Sequence, residues 1–160
     1  MSAAVRLTDM SHASLLAANV NPSTGLATDY LNTFNEALML MALVGDAPDL
    51  LDELADWRPM TYVGHFQASG FQFRDVVIAA YEDADPALRA AFNAEARELC
   101  GAVEAAITEL ARLADAATPL DDAAATLSAE LQAGVARLDA MIHGGLQGSS
   151  SQAAIDALFD

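Results

Sequence analysis

The stretch that decides the fold is residues 85–145, DPALRAAFNAEARELCGAVEAAITELARLADAATPLDDAAATLSAELQAGVARLDAMIHGG. Apolar residues recur in it at intervals of three and four, the spacing that places side chains on one face of an α-helix. The Asp85-Pro86 pair is a helix start signal, Thr118-Pro119 restarts the chain, and Gly144-Gly145 stops it. The stretch therefore indicates two long helices joined by a short turn.

These helices are predicted over 86–117 and 119–143. Their apolar seams are Phe92, Ala96, Leu99, Val103, Ala106, Leu110 and Leu113 in the first helix, and Leu120, Ala124, Leu127, Leu131, Gly134, Leu138 and Met141 in the second. Because the connection is so short, the two helices must be antiparallel neighbours. Gly134 has no side chain, so we expect the facing helix to come closest there.

Two further bundle helices precede this hairpin. The apolar run that ends at Gly45 predicts a deeply buried helix over 26–44. An apolar stripe at three- and four-residue intervals predicts a second helix over 61–83. The acidic segment between them, with Pro48 near its start, predicts a short connector helix over 47–56.

The sequence thus predicts an all-α protein, an antiparallel four-helix bundle with the short connector and a short C-terminal helix. The expected divisions are an N-terminal arm over 1–25, a helical bundle domain over 26–145, and a flexible link with the C-terminal helix over 146–160. All aromatic residues except Phe159 lie between Tyr30 and Phe92. We expect any specific chemistry in that aromatic half.

Charge argues against two classes of partner. The chain has 23 acidic residues, seven arginines and no lysine, which gives a formal net charge of −16. Nucleic acids and anionic membrane surfaces are bound by clustered basic side chains, whereas the arginines here, from Arg6 to Arg137, are scattered singly. We therefore expect no nucleic-acid partner and no membrane partner.

Three features favour a cytoplasmic location. The longest apolar stretch, Ala37–Gly45, is shorter than the roughly 20 residues that a spanning helix needs. The N-terminal residues lack the basic, apolar and small-residue order of a secretory signal. Cys100 is the single cysteine, which excludes an internal disulfide; it is interpreted as a small core or boundary residue, with a reactive thiol as the alternative.

Patterns for metal, cofactor and hydrolytic chemistry are missing from the sequence. No glutamate stands three residues before a histidine, as a di-iron bundle requires, and a single cysteine cannot supply a Cys/His zinc site. A glycine-rich phosphate loop and a Gly-x-Ser-x-Gly nucleophile turn are also absent. The sequence predicts no cofactor, no metal and no catalytic residue.

Asn35 is the strongest local anomaly. A helical projection places it in the middle of an apolar face, between Leu31 and Leu38, which predicts a buried amide. A buried amide either sets the register of the bundle, as a lone asparagine does in a coiled coil, or contacts a ligand.

Polar residues near Asn35 and on the second predicted helix form a candidate ligand site. An antiparallel arrangement of the first two long helices would place a polar pocket between them. The candidate ligand-binding residues are Asn32, Asn35, Glu36, Arg58, Tyr62, His65 and Ser69. The alternative interpretation is that Asn32 and Glu36 form a solvated edge and that His65 is hydrogen-bonded within the fold.

The segment His65-Phe66-Gln67-Ala68-Ser69-Gly70 places a helical histidine ahead of small residues that let a partner approach closely. Over these residues the chain resembles the histidine phosphotransfer domains, four-helix bundles with an exposed helical phosphoacceptor. The resemblance implies phosphotransfer through His65. A lysine and a glycine normally follow the histidine in that family, whereas Ala68 and Ser69 stand here, so the phosphate-stabilising cation is missing.

Phe71 and Trp57 are candidate interaction residues. Phe71 projects opposite the aromatic stripe of the predicted helix 61–83 and would be exposed in a simple bundle. We expect the arm, the C-terminal helix or a second subunit to cover it.

Together, the missing catalytic patterns, the acidic surface and Phe71 favour a non-catalytic protein that acts through protein–protein interaction, in a regulatory or adaptor-like role. The expected partner is another protein or a second copy in a homodimer. The alternatives are a small-ligand-binding or enzymatic bundle, with its pocket between the first two long helices, and histidine phosphotransfer through His65.

Overall fold

A computed structural model of the chain describes residues 11–144, and all of the regular secondary structure in that range is helical apart from one isolated bridge, Val20 to Ala27. The α-helices are α1 His12–Ala17, α2 Asn32–Leu43, α3 Leu51–Ala55, α4 Tyr62–Ala68, α5 Arg74–Glu82, α6 Pro86–Asp115 and α7 Asp121–Ile142. Short 3-10 turns, Thr28–Leu31 and Pro48–Leu50, lead into α2 and α3. The all-α prediction is confirmed.

The α6–α7 hairpin forms as the sequence predicts. The Asp85 carboxylate accepts a hydrogen bond of 2.9 Å from the Leu88 N–H, which caps the start of α6. Antiparallel packing follows from two cross-contacts: Arg137 reaches Glu95, and Gly134 lies against Leu99. A Cβ at Gly134 would stand 2.7 Å from a Leu99 methyl carbon, so the predicted close approach at Gly134 is confirmed.

Helix α2 packs along α7 and runs antiparallel to it. At one end the Thr24 hydroxyl donates a 2.6 Å hydrogen bond to the Ile142 carbonyl. At the other end Gly45, just after α2, lies against Asp121 at the start of α7. Because α6 is also antiparallel to α7, α2 and α6 point the same way.

The predicted helix over 61–83 is wrong, because the chain breaks into α4 and α5 between Ser69 and Phe73. The Ser69 hydroxyl donates to the Phe66 carbonyl at 2.8 Å and accepts from the Phe71 N–H at 3.4 Å, replacing helical hydrogen bonds. The Arg74 guanidinium donates to the Ser69 carbonyl at 3.3 Å and stabilises the end of α4. The described residues therefore contain three long helices instead of four.

The connector over 47–56 is confirmed as a 3-10 turn followed by α3. The helix predicted over 26–44 is shorter, because its first residues form the bridge and a 3-10 turn before α2 starts at Asn32. Gly25 has φ 76°, the left-handed conformation that glycine adopts without strain. The turn before α2 thus depends on a glycine that the helical pattern does not reveal.

Part of the predicted N-terminal arm contributes to the hydrophobic core. Leu15 of α1 is 2 % exposed, and Ala18 and Val20 are also buried in the same cluster as the bundle residues. The predicted link and C-terminal helix over 146–160 lie outside the described residues. Between residues 11 and 144, no helix is both long enough and apolar enough to cross a bilayer.

Candidate functional site

A cleft of about 770 Å³ opens between α6 and the chain around the start of α4, and we call it the tyrosine cleft. Its first wall is the α6 residues Asn93, Arg97, Cys100 and Glu104. Its second wall and floor are Pro59, Met60, Thr61, Tyr30, Tyr62 and Tyr81. Helix α6 can supply four residues to one wall because positions spaced by four, three and four residues share a helix face.

Hydrogen bonds fix two of the three tyrosines. The Tyr62 hydroxyl accepts a 2.8 Å bond from the Ala27 N–H, and the Tyr30 hydroxyl donates a 2.8 Å bond to the Met60 carbonyl. Burial raises the pKa of both phenols, although the Ala27 bond opposes this for Tyr62, so both hydroxyls stay protonated at neutral pH. The cleft floor is therefore rigid and uncharged.

Tyr81 closes one end of the tyrosine cleft. Its ring stacks on Tyr62 with centroids 4.5 Å apart, and its hydroxyl lies 2.7 Å from the Asn93 amide nitrogen. The Arg89 guanidinium lies over the Tyr81 ring at 5.8 Å, within cation–π range, and donates to the Tyr81 carbonyl at 3.3 Å. The Tyr81 side chain thus contacts Tyr62, Asn93 and Arg89.

Cys100 lies on the α6 wall, and only 9 % of the residue is exposed. Burial raises the pKa of its thiol, a hydrogen bond from the Met60 backbone acts in the opposite direction, and the negative charge of Glu104 raises it further. The prediction of a core cysteine is confirmed. A thiol in this environment is a poor nucleophile at neutral pH.

Arg97 is exposed on the α6 wall and has no hydrogen bond or ion pair with any residue in the described part of the chain. Each of the other arginines within residues 11–144 has such a contact; these are Arg58, Arg74, Arg89, Arg112 and Arg137. No acidic residue stands three or four positions before or after Arg97 on its own helix. Its guanidinium is therefore available to a ligand.

The prediction that Asn35 is buried is wrong. The buried face of α2 is centred on Phe34, Ala37 and Met41, all of which have no exposed surface, and Asn35 points away from it. Asn32 and Glu36 are exposed as well. These three polar residues do not converge with the candidates on α4.

Of the remaining ligand candidates, Tyr62 and His65 lie one turn apart on α4 and both contact the Tyr30 ring, at 5.3 and 5.7 Å, whereas Arg58 and Ser69 bond locally. Arg58 is exposed and donates to the carbonyls of Ala55 and Trp57 at 2.7 and 2.9 Å. Ser69 ends α4 through the bonds described above, so its hydroxyl is used locally. Tyr62 is the one member of the predicted set that lines the tyrosine cleft.

His65 is half-buried on α4, between two aromatic rings. Its ring meets Phe66 and Tyr30 edge to face, with centroid distances of 5.0 and 5.7 Å. Burial lowers its pKa, while a hydrogen bond to the Asp29 backbone and the Asp29 charge act in the opposite direction. The ring is held within the fold instead of projecting from an exposed helix face.

The two interaction candidates are both half-buried. Phe71 lies in the break between α4 and α5 and packs edge to face on Phe73 at 5.6 Å, so the break turns the ring toward its own chain. The Trp57 indole N–H donates a 2.7 Å bond to the Thr33 carbonyl, and its ring lies 6.4 Å from that of Phe34. Trp57 therefore anchors the segment after α3 to α2.

A second concave surface lies between α2 and α7, and we call it the α2–α7 groove. Its volume is about 540 Å³, and it is lined by Leu31, Asn35, Leu38, Met39 and Ala42 on one side and by Gln132, Val135, Ala136 and Asp139 on the other. Met39 is 59 % exposed, and Leu43, one turn further along α2, is 50 % exposed. These two residues form an uncovered apolar ridge beside the groove in the described structure.

Charge around the α2–α7 groove is negative. Asp139 lines it, with the His143 imidazole 3.5 Å from its carboxylate, and Glu36 is exposed on α2 next to Asn35. Helix α2 contains no arginine, and the single arginine of α7, Arg137, pairs with Glu95 of α6 at 3.4 Å. The groove thus has a mixed apolar and polar lining, with the carboxylates of Asp139 and Glu36 close to it.

The residues that line the tyrosine cleft were mostly missed by sequence reasoning. Asn93, Arg97 and Glu104 stand one position after the seam residues Phe92, Ala96 and Val103, so a second stripe parallel to the seam was the available signal.

No three histidine, cysteine or carboxylate side chains within residues 11–144 come together in a way that could hold a metal. No protein-family model, no curated protein and no solved structure matches this chain.

Proposed function

We propose that the chain is a protein-interaction domain, regulatory or adaptor-like, whose docking surface is the α2–α7 groove and whose partner presents a basic amphipathic helix. The observation that carries the proposal is the exposure of Met39 and Leu43 beside a groove whose lining is partly apolar. Large apolar side chains left in water on one face of a helix are typical of a surface that a partner covers. An amphipathic helix laid into a groove is a recurring way to cover them.

The carboxylates of Asp139 and Glu36 support a basic partner. Lysine or arginine residues flanking the apolar face of the incoming helix would lie near Asp139 and Glu36 and speed the encounter. A second copy of the chain would itself carry a net charge of −16. Homodimerisation through the groove is therefore the less favoured form of the proposal.

Binding of a synthetic amphipathic leucine–lysine peptide, followed by fluorescence anisotropy, tests the proposal. Met39→Asp should weaken binding by at least about tenfold, because burying a methionine side chain is worth about 1.5–3 kcal/mol. The substitution adds a negative charge. If affinity for the cationic peptide depended on charge alone, the variant would therefore bind more tightly than the wild-type protein.

Leu16→Asp is the matched control, because Leu16 is 54 % exposed on α1 and lies outside the groove. Equal affinity of the wild-type protein and the Met39 variant would refute the docking surface. A dimeric mass in light scattering that Met39→Asp abolishes would show that a second copy occupies the groove instead.

The proposal extends to location and architecture. Action in the cytoplasm is consistent with the single buried cysteine, which needs no oxidising compartment. We take the arrangement to be an antiparallel bundle in which α2, α6 and α7 are the long helices and the α4–α5 pair occupies the place of the fourth.

Histidine phosphotransfer through His65 is a proposal with less support. The ring packs against Phe66 and Tyr30, and no lysine follows it to stabilise a phosphate. Incubation with a phosphorylated receiver domain tests it, and the absence of acid-labile phosphate on His65 would end it.

A further inference from the structure

We propose that the tyrosine cleft is a second, independent binding site, and that it takes a small aromatic carboxylate with a hydroxyl group at its far end. Ligand pockets in proteins commonly measure about 300–1,000 Å³, and the cleft, at about 770 Å³, lies within that range. It shares no lining residue with the α2–α7 groove. The two sites can therefore be tested separately.

Arg97 selects the carboxylate. A guanidinium binds a carboxylate through two parallel N–H···O bonds, a geometry that a single positive charge on a lysine cannot match. Arg97 lines the cleft and is unpaired within residues 11–144, although the chain carries 23 acidic residues. By contrast, Arg112 on the same helix pairs with Glu109 at 2.6 Å. Arg97 therefore differs from Arg112 in lacking an acidic partner among residues 11–144, although both stand on α6.

The floor and second wall select a flat apolar body. Tyr30 and Tyr62, which are 1 % and 2 % exposed, close the floor, and their hydroxyls are already used by Met60 and Ala27. Met60 and Cys100 both line the cleft, and sulfur-containing side chains make favourable contacts with the edge of an aromatic ring. An aromatic ring therefore fits the space between α6 and the segment before α4 better than a polar chain does.

Glu104 sets the orientation of the ligand. It lies on the same wall as Arg97, seven residues further along α6, which is about 10 Å at 1.5 Å per residue. A carboxylate placed near Glu104 would be repelled, whereas a phenolic hydroxyl can donate a hydrogen bond to it. The ligand thus carries its acid at the Arg97 end and a hydrogen-bond donor at the Glu104 end.

Isothermal titration calorimetry with three probes tests the proposal: 4-hydroxyphenylacetate, its neutral amide, and tyramine. The acid should bind more tightly than the amide, and this preference should weaken at high salt. Tighter binding of tyramine would mean that the cleft takes a cation through Glu104 and would overturn the proposal. Failure of all three probes to bind would overturn it as well.

Arg97→Gln should weaken binding of the acid by about tenfold and leave binding of the amide unchanged, because only the acid loses a charged partner. The residue is exposed, so the substitution should not impair folding. Arg112→Gln is the control and should bind the acid like the wild-type protein. An equal loss of affinity in both arginine variants would assign the effect to overall charge and reject the site.

Met39→Asp separates this inference from the proposed function. The variant should lose peptide binding at the α2–α7 groove and retain full affinity for 4-hydroxyphenylacetate. Loss of both activities in this variant would show that the two sites are not independent, which contradicts the inference.

Discussion

The α6–α7 hairpin and the aromatic half, residues 26–83, are held together in different ways. The hairpin consists of two uninterrupted helices whose contacts repeat every three or four residues. The aromatic half is divided into α2, three shorter helices and two 3-10 turns. Side-chain hydrogen bonds join its distant segments, such as Tyr62 to Ala27 and Trp57 to Thr33.

This difference shows where the specific shape of the molecule originates. A repeating seam of leucine and alanine fixes a straight helix pair but provides few distinctive surfaces. The aromatic half positions backbone segments individually, and the tyrosine cleft forms where it meets α6. Substitutions that disconnect the two regions should therefore have the largest effects.

Phe92→Ala is expected to be the most disruptive of the substitutions considered. Phe92 lies on α6 with no exposed surface, and its ring lies 5.9 Å from Tyr30 and 5.8 Å from Tyr62. Removing a buried phenylalanine ring costs about 3–5 kcal/mol of unfolding free energy. Urea unfolding should show this loss, and the near-ultraviolet circular dichroism of the tyrosines should weaken in the folded variant.

Leu110→Ala is the comparison within the hairpin, because Leu110 is equally buried but is not among the aromatic contacts. We expect a loss of about 2–5 kcal/mol with the near-ultraviolet signal retained. If both variants lost that signal to the same extent, the two regions would not be distinct.

Tyr62→Phe tests the hydrogen bonds that position the aromatic half. The substitution leaves the buried Ala27 N–H without its partner, at a cost of about 1–3 kcal/mol. Tyr81→Phe removes a hydroxyl that is only partly buried and bonded to Asn93, so its cost should be below about 1 kcal/mol. Equal losses in urea unfolding would mean that the Ala27 bond has no special role.

The hairpin was predictable because its determinants are local. Asp85 caps α6 within one turn, and Gly134 marks the close approach to Leu99 through its missing side chain alone. The spacing of the seam residues fixes the packing face of each helix. None of these signals depends on a distant part of the chain.

The aromatic half was harder to predict because distant contacts override its periodic pattern. The apolar stripe continues through Ser69, yet its hydroxyl and the Arg74 guanidinium compete for helical hydrogen-bonding groups and end α4. Apolar residues lie on nearly every side of α2, so a helical projection could not identify its buried face. This is why Asn35 was placed in the middle of an apolar face. Arg97 pairs with no residue among 11–144, a property that is visible only in three dimensions.

Ser128→Ala should, unlike the other core substitutions, stabilise the protein. Ser128 is 7 % exposed on α7, and its hydroxyl has no hydrogen-bond partner in the described structure. Alanine removes an unpaired buried polar group and also favours the helix, so the unfolding free energy should rise by about 1–2 kcal/mol.

Thr126→Ala separates the two contributions, because Thr126 is exposed on the same helix and should gain only the helix preference of alanine, up to about 0.7 kcal/mol. A larger gain at Ser128 would show that the hairpin tolerates an unpaired hydroxyl in its regular seam. Equal gains would mean that this hydroxyl is bonded in solution, for example to the Ala124 carbonyl one turn earlier. Buried hydrogen bonds made by side chains would then occur in both the hairpin and the aromatic half. The two regions would differ in the sequence separation of the bonded residues, which is one turn in the hairpin and many residues in the aromatic half.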